Sequence, residues 1–230
     1  NSAGAVVLRA NVRGSGITST NNEGLWTNSG NTGAPPRLIA REGNVAPCLS
    51  TNLVAFSRFT TLAIADDGSV CFFAYLTNAG ATPAVNSTND GSIWRWTPTG
   101  LHLIAREGDQ ANNTDGAGIG RLTTFACSRT GGVVYQVEYV ANQGDFTSTN
   151  RDGIYLDRGL IDAAPELILR RGDAFDFMGS SHTVSSLTIG TEENAASGTG
   201  GYGRAINDMG SVLLNLSLTG NVSGIFVLTP

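Results

Sequence analysis

The sequence predicts an all-β protein, a β-propeller-like array of four-stranded antiparallel sheets with about three and a half repeats of about 65 residues. Three observations predict this fold class. The phrase LIAREG stands at residues 38–43 and again at 103–108, and the related LILRRG stands at 167–172. The apolar segments are short and are separated by turns rich in Gly, Asn, Ser and Thr. No segment has a sustained helical period, so we expect stacked sheets.

The composition fits short strands joined by many turns and argues against a nucleic-acid-binding protein. Charged residues make up 14% of the chain, against roughly 25% in an average soluble protein, and there are 30 glycines. All 14 basic residues are arginines, and the net charge of −5 is opposite to that of a nucleic-acid-binding face. No apolar run reaches the ~18 residues that cross a bilayer. Because no initiator Met is present, we interpret residue 1 as a processed or trimmed end.

The first repeated element, strand A, occurs four times and begins after a glycine turn. Consecutive apolar residues, as in VCFF at 70–73, predict that both faces of this strand are covered. The residues expected at equivalent buried positions of strand A are Leu8, Phe72, Tyr135 and Leu214. The glycines expected to supply positive φ in the turns are Gly4, Gly68, Gly131 and Gly210.

Strand B follows and carries a large apolar residue at one repeated position. Three of its four copies are preceded by the tripeptide STN, which begins at Ser19, Ser87 and Ser148. The repeated apolar position is occupied by Trp26, Trp94, Tyr155 and Phe226. We predict that these side chains fill the layer between sheets.

Strand C is the LIAREG phrase, and strand D is a weaker apolar stretch that includes Phe59 and Leu62. In strand C, Leu and Ala or Leu are predicted to alternate with Ile and Arg across the two faces. The order A-B-C-D occurs three times and is followed by A-B, which predicts fourteen strands.

We expect a single domain over 1–230. Its repeats are placed at about 1–64, 65–127 and 128–206, with a half repeat at 207–230. The segment GTEENAASGTGGYG lengthens the third repeat and is predicted to be a surface loop.

The strand A phrase resembles the N-x-x-G-x-x-A-F signature of the bacterial tandem-repeat proteins named after it, which are often described as choice-of-anchor proteins. The residues Asn1, Gly4, Asn207 and Gly210 stand on the motif positions, whereas Ala65 and Ser128 replace the motif Asn. The LIAREG phrase is also typical of that family. The resemblance covers the whole chain and implies a secreted or surface-attached protein with a β-propeller-like fold.

The arginines of strand C allow two interpretations. Arg41, Arg106 and Arg170 recur at one position, which would suit either an anion-binding ring or a repeated structural bond. We favour the structural bond, with each guanidinium bridging to a turn carboxylate such as Asp67 or Asp208. The RGD tripeptide at 171–173 falls in the same repeated turn. We therefore interpret it as a structural turn and not as an integrin-binding motif.

No catalytic cluster is recognisable, so we predict a protein that is not an enzyme. The segment STNDGSIW at 87–94 resembles the Asp-box hairpin of sialidase-type propellers, in which that box is structural. A sialidase needs a Tyr nucleophile and an acid pair, for which the insertion offers Tyr202 with Glu192 or Glu193. The histidines His102 and His182 lack catalytic partners nearby in the sequence. The positions equivalent to His102 in the other repeats hold Arg37 and Glu166, which predicts an exposed, variable position.

We expect no cofactor, with calcium at the oxygen-rich segment NNTDGAGIG from Asn112 as the alternative. We do not expect zinc, because no C-x-x-C pair exists. We expect Cys71 and Cys127 to be buried thiols and Cys48 to be accessible. Glycosylation sequons stand at Asn86, Asn112, Asn215 and Asn221.

These observations predict a non-enzymatic extracellular β-repeat protein that acts as a structural, adhesive or self-assembling surface module. The fourteen strands end inside a repeat, so we expect a homo-oligomer, a filament or another protein chain to complete the sheets. No nucleic acid and no transmembrane segment are expected, and a glycan is an alternative partner. The alternative functions are a carbohydrate-active, sialidase-like propeller enzyme and a ligand-binding sensor propeller.

Overall fold

The computed structural model describes residues 1–29, 33, 35–47, 49, 54–78, 84–144, 146–160, 163–190 and 205–230. The regular secondary structure of these residues is entirely β, which confirms the predicted all-β class. The described strands are β1 (Val7–Asn11), β2 (Glu23–Thr27), β3 (Arg37–Arg41), β4 (Val54–Ile64), β5 (Val70–Asn78), β6 (Gly91–Thr97), β7 (Gly100–Arg106), β8 (Ile119–Cys127), β9 (Val133–Tyr139), β10 (Asp152–Asp157), β11 (Glu166–Arg170), β12 (Ala174–Phe177), β13 (Ser180–Ile189), β14 (Val212–Leu218) and β15 (Val222–Leu228).

The strands form four antiparallel sheets in which each strand pairs with its neighbours in the chain. The first sheet is β1-β2-β3, and the others are β4-β5-β6-β7, β8-β9-β10-β11 and β12-β13-β14-β15. The two complete middle sheets therefore run in the order D-A-B-C. Strand D forms a hairpin with the strand A that follows it, so a sheet begins one strand earlier than the repeated phrase suggests.

The structure contains one strand that the sequence analysis missed, so the expected count of fourteen is wrong. The short strand β12 pairs with β13 through a turn at Met178 and Gly179, whose φ angles are 52° and 77°. Two consecutive residues with positive φ are typical of a tight hairpin. Methionine is an unusual residue at such a position, and for this reason no turn signal is visible in the sequence.

The described chain divides into two compact units, residues 1–107 and 108–230. The core of the first unit is aromatic. The ring of Phe56 lies 5.4 Å from that of Phe59 and 5.2 Å from that of Trp94, and the ring of Phe72 lies 5.8 Å from that of Phe59. All four side chains are essentially inaccessible to solvent. Burial of these large rings supplies much of the hydrophobic stabilisation of this unit.

The second unit has a mixed core. The rings of Tyr135 and Tyr155 are stacked with their centroids 5.4 Å apart, and Phe146 packs on Tyr139 at 4.0 Å. Aliphatic residues form the rest of this core, which includes Val134, Ile154, Leu156, Leu169, Val184, Leu187, Ile189, Ile206, Val212, Leu214, Leu216 and Leu218.

The register between strands A and B confirms the sequence alignment of these two elements. The directly opposed pairs are Leu8 with Trp26, Phe72 with Trp94, Tyr135 with Tyr155, and Leu214 with Phe226. Burial agrees with the prediction at Phe72, Tyr135 and Leu214, but Leu8 is 38% exposed. The prediction for Leu8 is wrong because β1 is an edge strand, and no strand D lies beside it among the described residues.

Strand C does not alternate as predicted. A β-bulge recurs at the same place in β3, β7 and β11. In each case the extra residue stands between the partners of two consecutive strand B residues, which are Leu25 and Trp26, Ile93 and Trp94, and Ile154 and Tyr155. The extra residue is the Ile of the phrase, so Ile104 and Ala105 are both buried although they are adjacent. An inserted residue breaks the two-residue period of a strand and re-aims the side chains after it.

Within each unit, the strand D of the second sheet packs on the first sheet. In the first unit β4 contacts β1 and β2, and in the second unit β13 contacts β9 and β10. These contacts bury the strand B residues Leu25 and Ile154 completely. The equivalent residue of β15, Ile225, is 71% exposed.

Candidate functional site

The arginine of the LIAREG phrase holds the loop that precedes strand B. Arg41 Nε donates a hydrogen bond to the main-chain oxygen of Asn21 at 2.7 Å, and Arg106 Nε donates to that of Asn89 at 2.9 Å. Both acceptors are the Asn of an STN tripeptide. The recurrence of one bond in two sheets indicates a structural role for these arginines.

The carboxylates suggested as arginine partners, Asp67 and Asp208, make other contacts. Asp67 accepts hydrogen bonds from Ser69, and Asp208 accepts one from the main-chain N–H of Arg129. Among the described residues, the third arginine alone is seen to pair with a carboxylate, since Arg170 Nε lies 2.9 Å from Asp173 Oδ1.

The STN tripeptides close the same turn three times. The side-chain oxygen of each Asn accepts the main-chain N–H of the residue three positions earlier, at 2.7–2.8 Å; the three acceptors are Asn21, Asn89 and Asn150. Such Asn-based turns replace the missing backbone partners of a loop. The resemblance of STNDGSIW to an Asp-box therefore reflects a loop-closing role in this protein.

The Glu and Gly of the phrase also have structural partners. The buried carboxylate of Glu107 accepts the N–H of Gly91 at the start of strand B, at 3.0 Å. Gly43 has a φ of 80° and donates its N–H to Phe56 on strand D at 2.8 Å. The glycines of the other two phrases, Gly108 and Gly172, make the same 2.8 Å bond to a strand D carbonyl. The hexapeptide is thus repeated because its Arg, Glu and Gly join strand C to other elements.

The RGD tripeptide is engaged in this architecture. Both carboxylate oxygens of Asp173 accept hydrogen bonds from Arg170, at 2.9 Å each. Arg171 lies 3.5 Å from the carboxylate of Asp152. The acidic group that an integrin-type receptor would need is already used, which supports the structural interpretation of this tripeptide.

The two histidines have no catalytic partner among the described residues. His182 shares a hydrogen bond with the main-chain oxygen of Thr219 at 2.8 Å. His102 is half-buried, not exposed as expected, because it lies opposite the buried Arg95 of β6. Its Nε2 atom is enclosed and has no hydrogen-bond partner in the part of the chain that the structure describes. The residues suggested for a sialidase, Glu192, Glu193 and Tyr202, lie outside the described residues.

The oxygen-rich segment from Asn112 is joined to a buried tyrosine pair. Tyr139 donates its hydroxyl proton to Tyr155 at 2.9 Å, and Tyr155 donates to the main-chain oxygen of Asn112 at 2.8 Å. Burial raises the pKa of Tyr155 to about 12 and raises the pKa of Tyr139 further. Among the described residues, no group of three or more His, Cys, Asp or Glu side chains is placed to hold a metal ion.

The thiol predictions are confirmed where the structure describes them. Cys71 and Cys127 are buried, with exposed fractions of 0% and 6%. Cys48, which was expected to be accessible, lies outside the described residues.

The A turns are linked to one another within each unit. In the first unit, the N–H of Ser2 donates to Asp66 Oδ1 at 2.9 Å, and Asn1 Nδ2 donates to the main-chain oxygen of Ala65 at 2.8 Å. In the second unit, the N–H of Arg129 donates to Asp208 Oδ1 at 3.2 Å. The second link is not seen there in the described part of the chain, because Ser128 stands in place of Asn1 and its hydroxyl accepts the N–H of Gly132 instead.

A groove of about 240 Å³ lies between the two A turns of the second unit. We call it the A-turn groove. Its lining residues are Ser128, Thr130, Gly132, Leu156, Arg158, Leu160, Ile206, Asn207, Asp208, Met209 and Gly210. The guanidinium of Arg158 lies against Gly210, with Nη1 2.8 Å from the point where a Cβ would stand. A side chain at residue 210 would therefore displace Arg158.

The first unit has no such arginine at the equivalent place. Trp26 and Tyr155 are equivalent, so Ser29 corresponds to Arg158, and Gly68 corresponds to Gly210. The hydroxyl of the buried Ser29 lies directly against Gly68. The sequence analysis missed the A-turn groove, although one signal was present: the replacement of the motif Asn by Ser128.

The described part of the chain contains no helix that is long and apolar enough to span a membrane. Comparison with curated proteins gives no match, and neither does comparison with solved structures. One family model matches residues 1–229 and is described as a family of unknown function. The chain, with its antiparallel sheets and its repeated LIAREG phrase, therefore belongs to the DUF7453 family.

Proposed function

We propose that this protein is a non-enzymatic, extracellular β-repeat module with a propeller-like arrangement of sheets, and that copies of it associate end to end. Its role would be structural or adhesive, at a cell surface or in a secreted assembly. The observation that carries the proposal is the exposure of apolar residues on the two terminal sheets at positions that are buried in the inner sheets.

The last sheet supplies the larger apolar surface. Ile225 and Val227 on β15 are 71% and 67% exposed, whereas Ile154, the equivalent of Ile225, is fully buried by the strand D of a following sheet. The A turn of this sheet also has an unused donor, because Asn207 Nδ2 has no partner among the described residues. The equivalent atom of Asn1 bonds to the next A turn. The exposed apolar side chains and this amide group could therefore pack on and hydrogen-bond to a further sheet of the same repeated kind.

The first sheet offers apolar residues at its own edge. Val6, which precedes β1, is 48% exposed, and Leu8, which lies in β1, is 38% exposed. The outer edge of β1 has no neighbour in the described structure. Two different surfaces at the two ends of one chain favour a heterologous, head-to-tail contact. A second copy is the occupant we propose, since the internal packing of its sheets already supplies the template.

The test is the mass of the protein in dilute solution, measured by light scattering over a range of concentrations and accompanied by imaging of the assemblies. We expect the mass to rise with concentration. Ile225→Lys and Val227→Lys should hold the protein as a monomer, because each places a charge on the proposed contact. Met178→Lys is the matched control, since Met178 is 88% exposed on the β12–β13 turn.

A monomer of constant mass at every concentration would overturn the proposed association. Association that persists in both lysine variants would place the contact elsewhere. A hydrolysis screen with chromogenic glycosides tests the non-enzymatic part separately, since turnover by the purified protein would contradict it.

A further inference from the structure

We propose that the A-turn groove binds a neutral saccharide, one sugar ring at a time, through Arg158 and Asp208. This inference concerns a ligand site and does not depend on the association of copies. The A-turn groove lies where the second unit departs from the repeated architecture at two positions, Ser128 and Arg158. In the first unit, the equivalent space is closed by the bond from Asn1 to Ala65 and by the contact of Ser29 with Gly68, and the second unit has neither among its described residues.

The first departure opens the space between the turns. Asn1 uses Oδ1 to accept the N–H of Ala5 and Nδ2 to reach Ala65 of the next turn. Ser128 keeps the equivalent of the first bond, to Gly132 at 2.9 Å, but has no amide group to make the second. Between the two turns of the second unit, the described structure shows the hydrogen bond from the N–H of Arg129 to Asp208 but not an equivalent of the bond from Asn1 to Ala65.

The second departure places a donor in this space. The guanidinium of Arg158 has five N–H groups, and in the described structure its one partner is Glu166, at 3.2 Å from Nη2. This ion pair is exposed on both sides, so it contributes little to stability. Nη1 lies against Gly210 and makes no hydrogen bond within the described structure, so it is the donor that we assign to a ligand.

Acceptors lie beside this donor. Asp208 uses Oδ1 for the N–H of Arg129, and its Oδ2 has no hydrogen bond within the described structure. The hydroxyl of Thr130 is within 3.2 Å of that of Ser128 and can accept or donate. A sugar hydroxyl does both, so neighbouring donors and acceptors suit a polyol.

The apolar part of the lining suits the C–H face of a sugar ring. Leu156 and Ile206 are buried behind the A-turn groove, and Leu160 and Met209 are 62% and 82% exposed beside it. Its volume of about 240 Å³ is below the roughly 300–1,000 Å³ of sites for drug-sized ligands. The space therefore favours a single ring.

The charge balance argues against a simple ion as the ligand. One cation, Arg158, and one carboxylate, Asp208, line the A-turn groove, and Glu166 pairs with the cation from outside it. An anion would face Asp208, and a cation would face Arg158. A neutral ligand with several hydroxyl groups can accept a hydrogen bond from Arg158 and donate one to Asp208 without placing a like charge beside either side chain.

The experiment is a titration of the isotope-labelled full chain with methyl glucoside, methyl galactoside and methyl mannoside, followed by the amide NMR signals. Acetate and methylammonium serve as the anionic and cationic probes. We expect at least one glycoside to shift the amide signals of Thr130, Asp208 and Gly210. We expect Arg158→Gln and Asp208→Asn each to weaken its affinity about tenfold or more.

Three further variants make the result specific. Arg13→Gln and Asp176→Asn are the matched controls, because both side chains are exposed and neither lines the A-turn groove, so the affinity should not change. Ser128→Asn should restore the link found at Asn1, close the space and abolish binding while the chain stays folded. A native amide spectrum establishes folding for each variant.

The proposal is overturned if none of the three glycosides shifts these signals. It is also overturned if both Arg158→Gln and Asp208→Asn leave the affinity unchanged, or if acetate or methylammonium gives the same shifts as the glycosides. In that last case the A-turn groove is an ion site.

Discussion

Leu8 and Phe72 hold the same position in strand A but differ in their surroundings. Phe72 is fully buried among Phe56, Phe59 and Trp94, whereas Leu8 is 38% exposed at the edge of a three-stranded sheet. The contribution of a repeated residue to stability therefore depends on the sheet in which it lies, even though its partner on strand B is the same kind of residue.

Truncation of these two side chains should have unequal effects. Phe72→Ala leaves a cavity in the aromatic core and should lower the free energy of unfolding by about 3–5 kcal/mol. Leu8→Ala, the matched control, should cost about 1 kcal/mol because its side chain is partly solvated already. Denaturant titration of both variants measures the difference, and equal losses would contradict the burial described above.

The buried tyrosines should make stability fall at high pH. Burial raises the pKa of Tyr155 from 10.0 to about 12, so above pH 10 the unfolded chain loses a proton that the folded chain keeps. The unfolded state then binds fewer protons, and the free energy of unfolding decreases between pH 10 and about 12. Denaturant midpoints across this window should show a steeper fall in the parent protein than in Tyr155→Phe. A fall of equal slope would argue against a raised pKa.

At the scale of the element, strand C is defined by its bonds to other elements. Its Arg holds the loop before strand B, its Glu holds the start of strand B, and its Gly bonds to strand D. The bulge at the Ile brings Arg41 opposite Gly24 and Arg106 opposite Ser92. Strand C therefore holds the neighbouring strands and loops of its sheet in place.

Replacement of the strand C arginine should separate the structural interpretation from an anion-binding ring. Arg106→Lys keeps the charge but loses the Nε–H that donates to Asn89, so we expect a loss of about 1 kcal/mol in the free energy of unfolding. Sulfate should stabilise the parent protein and the variant equally. A sulfate-dependent gain that disappears in the variant would favour the anion-binding ring.

At the scale of the whole molecule, two compact units each have a core of their own. The core of residues 1–107 is built from aromatic rings, and that of 108–230 is built from tyrosines and aliphatic side chains. Units with separate cores can open with different free energies.

Hydrogen exchange should report these two cores separately. Phe72→Ala should speed the exchange of amides in β4–β7 more than in β13–β15. Leu214→Ala, at the equivalent position of the second unit, should do the reverse. Mass spectrometry of peptides after exchange measures both effects. A uniform acceleration over all described strands in each variant would show one cooperative core in place of two.

The sequence by itself determined the all-β class, the identity of strands A to D and the pairing of strand A with strand B. These features follow from local patterns, such as apolar runs bounded by Gly and Asn turns, and the four positions from Trp26 to Phe226 align correctly. It also determined that Cys71 and Cys127 are buried, because the equivalent positions of the other repeats hold apolar residues.

The tertiary structure alone decided which strands share a sheet and which repeated residues are covered. Strand D pairs with the following strand A through backbone hydrogen bonds, and these bonds carry no side-chain signature. The partners of Arg41 and Arg106 are likewise main-chain oxygens, which no residue pattern marks. The A-turn groove depends on the distance between two turns that are about 80 residues apart, and non-local packing sets that distance.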